Sequence, residues 1–131
     1  MIVLDTHVWI WWVSEPRLLS AGARKLMEQS IKEQSVHISC ISSWEVAMLV
    51  DRGRLQLTMP VEDWVENSEA LPFFNFVPVT NSIALKSVRL PAPFHSDPAD
   101  RIIVATAIAM GATVVTKDHK ILGYRHVKTA W

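Results

Sequence analysis

The sequence holds one cysteine, Cys40, in 131 residues. An internal disulfide is excluded, and a lone thiol fits a reducing cytosol. Cys40 lies in the apolar run "VHISCI" and is expected to fill a small core position. Zinc ligation is disfavoured too, because no C-x2-C pair and no H-x3-H occurs. Net charge is missing: 13 basic residues balance 13 acidic ones. That counts against a general nucleic-acid binder, whose affinity comes from clustered Lys and Arg. No apolar run reaches the roughly 20 residues of a membrane span. The longest, "IIVATAIAMGATVV", is broken by two Thr and a Gly. "MIVLDTHVWIWWV" has no basic start and is interrupted by Asp5, so it is not read as a signal peptide. Internal repeats and low-complexity tracts are also absent.

What is present is a chain with 50% hydrophobic residues, rich enough to fold and long enough for one domain over residues 1–131. Its charges are segregated. Glu62, Asp63, Glu66 and Glu69 make residues 55–80 purely acidic. From Lys86 onward the cations Lys86, Arg89, Arg101, Lys117, Lys120, Arg125 and Lys128 face only Asp97, Asp100 and Asp118. A basic half around a few carboxylates suits a polyanion approaching a bound cation; ordinary solvated faces account for it equally well.

Short β-branched runs alternate with amphipathic segments. "MIVLD", "VHISCI", "FNFVPV" and "ATVVT" read as strands, and "YRHVKTAW" as a short fifth. Between them lie helical patterns. One follows Ser20, one runs from Ser42 to Gly53, and one follows Pro60. "NSIALKSVR" is a fourth, and an apolar helix runs from Pro98 to Met110, closed by Gly111. This order predicts a three-layer α/β/α domain with a parallel sheet of four or five strands. Ligands in such folds bind beyond the carboxyl ends of the strands.

Four acids fall at that edge. Asp5 ends the first strand, Glu45 follows the second, Asp100 opens the apolar helix and Asp118 follows the fourth strand. Each has a plain explanation. Asp5 and Thr6 can cap a helix, Ser42 and Glu45 fit a capping box, Asp97 before Pro98 is a good N-cap, and Asp118 suits a turn. Together they would repel unless a cation neutralises them or some stay protonated. Oxygen ligands of this kind suit Mg2+ or Mn2+ and phosphate chemistry.

"VLDTHVWIWW", "ISSWEVAML", "DPADRIIVATA" and "VVTKD" resemble, in that order, the four acidic motifs of PIN-domain nucleases, most closely the VapC-type toxins of type II toxin–antitoxin pairs. The likeness covers nearly the whole chain. It implies a PIN-like fold and a Mg2+- or Mn2+-dependent endoribonuclease of the cytoplasm, held inactive by a cognate antitoxin. By position the acids are Asp5, Glu45, Asp100 and Asp118. Asp5 and Asp100 are the expected main metal ligands. Glu45 and Asp118 would support them, bind a second ion or orient water, and Asp97 would cap its helix or add to the metal shell. Thr116 matches a polar residue before the fourth acid. Ala99 stands where the family often has an aromatic, a departure that leaves the acids untouched.

Thr116, Arg101 and Lys117 are candidates for touching substrate, with Lys120 nearby. His7, His95 and His119 flank the acids, and any of them could serve as a general acid. Trp9, Trp11 and Trp12 crowd one segment and Trp44 adjoins Glu45. One helix cannot turn the first three inward together, so a partner is expected to cover some of them. An antitoxin or a second copy of the chain would do so, giving a homodimer or a toxin–antitoxin hetero-oligomer. Three rival readings remain. A haloacid-dehalogenase-like phosphatase needs a second Asp where His7 stands. A receiver-like Mg2+-binding signalling domain needs an acidic pair where Asp5 is alone. A catalytically silent PIN scaffold would bind only a partner or RNA.

Overall fold

The computed structural model describes Met1–Trp131. Five strands form one sheet: β1 (Ile2–Leu4), β2 (Val36–Ser39), β3 (Phe74–Val77), β4 (Thr113–Val115) and β5 (Lys128–Ala130). Their spatial order is β3-β2-β1-β4-β5, and every pairing is parallel. The helices are α1 (Thr6–Ser14), α2 (Ala21–Lys32), α3 (Cys40–Asp51), α4 (Val61–Glu69), α5 (Asn81–Val88), α6 (Pro98–Met110) and α7 (His119–Leu122).

Strand alternation divides the core into two layers. Ile2, Leu4 and Val115 point to one face, where Val8 and Trp9 of α1, Met27 of α2, Val46 of α3 and Trp64 of α4 cover them. Val3 and Val114 point to the other, against Ile83 of α5, Ile103 and Val104 of α6 and Ile121 of α7. The three-layer α/β/α architecture with five strands is the one expected. The chain builds outward from β1 to β3, then crosses back to place β4 on the far side of β1. That reversal opens a crevice at the carboxyl ends of β1 and β4.

The sequence patterns held for most elements. Ser20 caps α2 by accepting the Ala23 N–H at 2.9 Å. Asp97 caps α6 by accepting the N–H groups of Ala99 at 2.9 Å and Asp100 at 3.2 Å. Gly111 ends α6 with φ 65, a left-handed conformation in which a Cβ would be strained.

Two local expectations fail together. β2 stops at Ser39, whose hydroxyl accepts the Ile41 N–H at 3.2 Å and caps α3. Cys40 is therefore the first residue of α3 and is exposed, not a core residue. Ser42 lies inside α3 and is buried, so Ser42 and Glu45 do not form a capping box.

The tryptophans divide as the crowding of α1 requires. Trp9 is wholly buried, packs on Trp64 at 4.7 Å, and donates its indole N–H to Ser68 Oγ at 3.1 Å. Trp11 and Trp12 are half-buried at the edge of this layer. Trp44 is 55% exposed.

Candidate metal centre

Asp5 is the best-held of the acids. Its backbone N–H continues the sheet by bonding to Val115 O at 3.0 Å, so the side chain leaves β1 at the crevice. One carboxylate oxygen accepts the Thr6 N–H at 2.7 Å. The other accepts the Thr116 hydroxyl at 2.7 Å and lies 3.5 Å from His7 Nδ1. The Thr116 oxygen in turn accepts the Asp118 N–H at 2.9 Å. One buried hydroxyl thus ties the first acid to the backbone of the last. Asp118 also caps α7, accepting the Lys120 N–H at 2.9 Å.

Oxygens of Asp5, Asp100 and Asp118 come within 4.8 Å of one another. Glu45 and Asp97 line the same cleft, with Thr6, His7, Ile10 and Leu49; it encloses about 260 Å3. Sequence positions spread over most of the chain are gathered here because Asp5 and Asp118 lie just beyond β1 and β4, Glu45 lies in the first turns of α3, and Asp97 and Asp100 lie at the start of α6.

Glu45 is placed by α1 as well as α3. Its Oε1 lies 2.5 Å from Thr6 Oγ, which is also 2.8 Å from Ser42 Oγ. A hydroxyl has one proton to give. The shorter contact to the carboxylate takes the Thr6 proton, and Ser42 then donates to Thr6. Asp100 is held from the loop before α6, its Oδ2 lying 2.7 Å from His95 Nε2.

The electrostatics are those of closely spaced, part-buried carboxylates. Burial, and then the neighbouring Asp5, Asp100 and Asp97, push Glu45 up to about 7, against the opposing pull of the Thr6 bond. Burial likewise lifts Asp100 to about 6, with Asp5 and Asp97 adding to it and the His95 bond opposing. His7 is lowered, chiefly by burial, although Asp5 and Asp118 favour its charged form. No lysine or arginine pairs with any of these acids; the ion pairs of the molecule are His7–Asp5, Arg17–Glu15 and His95–Asp100. Three converging oxygen donors, no sulfur ligand and no lysine or arginine partner fit a hard divalent cation.

The residues expected to touch substrate are arranged otherwise. Thr116 is fully buried, and its hydroxyl joins Asp5 to the backbone of Asp118. The Arg101 guanidinium donates to four backbone carbonyls, those of Ser87, Val88, Phe94 and His95. Lys117 is exposed at the rim, with Nζ 5.8 Å from the Trp11 ring centroid. Its backbone N–H donates to His7 Nε2 at 3.0 Å. His119 is exposed at the start of α7. Thr6 and Ser42 were missed as site residues. The signal for Thr6 was its place beside Asp5; for Ser42 it was hidden by the capping-box pattern.

A family model described as PIN domain matches residues 2–127. The chain belongs to the PIN-domain family. This PIN domain is 38% identical over 132 residues to ribonuclease VapC22 of Mycobacterium tuberculosis, spanning 99% of this chain and 98% of that relative. Among solved structures, VapBC2 from Rickettsia felis bound to a DNA fragment from their promoter matches with a TM-score of 0.73 at 16% identity, over 99% of this chain and 98% of that one. FitAcB from Neisseria gonorrhoeae matches at 0.67 with 25% identity, over 98% and 96%. A toxin–antitoxin complex from Klebsiella pneumoniae matches at 0.66 with 20% identity, over 100% and 97%. At such low identities the likeness is one of fold, and it bears out the PIN-like architecture.

Proposed function

We propose that this PIN domain is a Mg2+- or Mn2+-dependent endoribonuclease that acts as the toxin of a toxin–antitoxin pair. The observation that carries the reading is the triad of Asp5, Asp100 and Asp118, brought within 4.8 Å with no lysine or arginine to neutralise it. The name of the VapC22 relative supports ribonuclease activity, and the Klebsiella complex supports an antitoxin partner.

The three aspartates would hold the cation. Once bound, it supplies Lewis-acid polarisation of the scissile phosphate and a lowered pKa for water. Asp5 is the fixed point, since both its oxygens are already oriented by Thr6 and Thr116. Glu45 lines the cleft beside the triad, and its Thr6 bond leaves Oε2 to orient the attacking water and receive its proton. Water oxygen joins phosphorus as one P–O bond to ribose breaks, and the departing ribose oxygen takes up a proton from bulk water. Lys117, at the rim, is the cation best placed to meet the RNA backbone. Trp44, 55% exposed on α3, is the aromatic an antitoxin would cover.

Purified, partner-free protein incubated with single-stranded RNA tests the reading. Cleavage is expected with Mg2+ or Mn2+, little with Ca2+, whose looser geometry positions water poorly, and none with EDTA. Undiminished cleavage in EDTA overturns the metal dependence. A protein that binds RNA or an antitoxin yet never cuts is the silent scaffold. Co-expression with the neighbouring reading frame tests the pairing, with recovery of a soluble complex expected.

A further inference from the structure

Consecutive residues of α6 grip one residue of the preceding loop from two sides. Asp100 meets the His95 ring, with Oδ2 2.7 Å from Nε2. Arg101 meets the same residue's backbone, with Nη1 3.1 Å from His95 O and 3.4 Å from Phe94 O. The rest of the guanidinium reaches Ser87 O at 2.8 Å and Val88 O at 3.3 Å, which fastens the loop to the end of α5. The Phe94 ring packs beside the imidazole at 4.4 Å and against Tyr124 at 4.4 Å. Tyr124 is buried, and its hydroxyl donates to Pro91 O at 2.7 Å. The loop is therefore held at three points, and His95 is where they converge on Asp100.

His95 Nδ1 is buried and has no partner. A proton there would be a buried donor without an acceptor, which is costly. The ring hydrogen belongs on Nε2, where it is donated to Asp100. Closing a loop does not call for a buried imidazole with one nitrogen unsatisfied, because a solvated side chain would serve. Setting the rotation of a carboxylate does call for a rigid donor at a fixed point.

We propose that His95 is a positioning residue for the nuclease, fixing the Asp100 carboxylate so that one oxygen is held by the imidazole and the other is presented to the cation. Arg101 acts one step behind it by holding the His95 backbone. The inference rests on the metal-dependent reading of the cleft. It adds a residue that touches neither ion nor RNA.

The test uses the full chain titrated with Mn2+ alone, followed by calorimetry and by the EPR spectrum of the bound ion, beside RNA cleavage kinetics. His95→Phe keeps a ring and removes the donor, and His95→Ala serves beside it so that a folded donor-free variant is measured. His95→Gln places an amide N–H near the position of Nε2. The donor-free variant is expected to bind Mn2+ roughly 10–100-fold more weakly, the usual effect of losing a partner of a metal ligand. Its EPR spectrum should change, and its kcat should fall with KM for RNA little altered. His95→Gln should recover most of the affinity and kcat. Wild-type Mn2+ affinity and kcat in a folded donor-free variant would overturn the role of His95 and leave the metal reading standing. A wild-type chain that binds no Mn2+ would remove both.

Discussion

Thr116 donates its hydroxyl proton to Asp5 Oδ2 at 2.7 Å, across 111 residues of chain. The Thr116 hydroxyl oxygen itself accepts the Asp118 N–H at 2.9 Å. Thr116→Val keeps the shape and removes both bonds. The change should cost about 1–3 kcal/mol, because the Asp118 N–H loses its acceptor in a partly buried place. Metal affinity and kcat should fall about 10–100-fold, with KM for RNA unchanged. A variant with raised KM and intact metal binding would return Thr116 to the substrate side.

Asp100→Asn separates ligand from cap. Asp97 already caps α6, so the N-cap is untouched. The amide still offers His95 an acceptor but removes a like charge from the cleft. Activity should fall by orders of magnitude. Metal-free stability should hold or rise by about 1 kcal/mol, a figure discounted for water in the open cleft. Added Mg2+ should raise the wild-type melting temperature and raise that of the variant less. Full activity with an unchanged Mg2+ response would end the case for Asp100 as a ligand.

The raised carboxyls set a pH dependence for the metal-free protein and for the increment that Mg2+ adds. Glu45, at about 7, and Asp100, at about 6, hold protons more tightly when folded than in the unfolded chain. The stability they contribute is full below the ordinary carboxylate range and is lost as pH rises through 6 and then 7. Metal-free melting temperature should therefore drop between roughly pH 6.5 and pH 8, where the opposing gain from the lowered His7 is complete. The increment from Mg2+ should grow over the same window, as fewer protons compete for the acids. Melting curves with EDTA and with Mg2+ measure both, and a metal-free curve that climbs with pH would contradict the raised values.

Arg101 gives a test in ionic strength. A phosphate contact would lower the salt dependence of RNA binding by about one unit of slope when removed. The four carbonyls around the guanidinium instead make Arg101 a latch. Arg101→Ala should leave the salt slope of RNA binding unchanged, lower kcat through the loosened His95 loop, and reduce the melting temperature. A shallower slope would show that the side chain does reach RNA.

The sheet and the acids were legible because both follow from short-range rules. "MIVL" and "ATVV" are continuous apolar runs, as strands buried on both faces require, and Asp5 and Asp118 sit where such strands must end. The start of α3 was hidden. "VHISCIS" has the apolar, β-branched look of an extended strand, yet the helix begins at Cys40 because Ser39 caps it. That shift of two residues turned Ser42 from a presumed cap into a buried partner of Thr6. The ties among side chains were less legible still. Nothing near position 95 in the sequence announces that one α6 residue will take the His95 ring and the next its carbonyl. Such pairings depend on where a proline-containing loop lies in space, and periodicity does not encode that.

The bond between Thr116 and Asp5 also bears on how the protein comes to exist. Translation delivers Asp5 111 residues before its hydroxyl partner, and Asp118 follows later still. No shorter nascent fragment can assemble the triad. On the function proposed above, a nascent chain would gain its metal-binding triad only when the sheet has received β4.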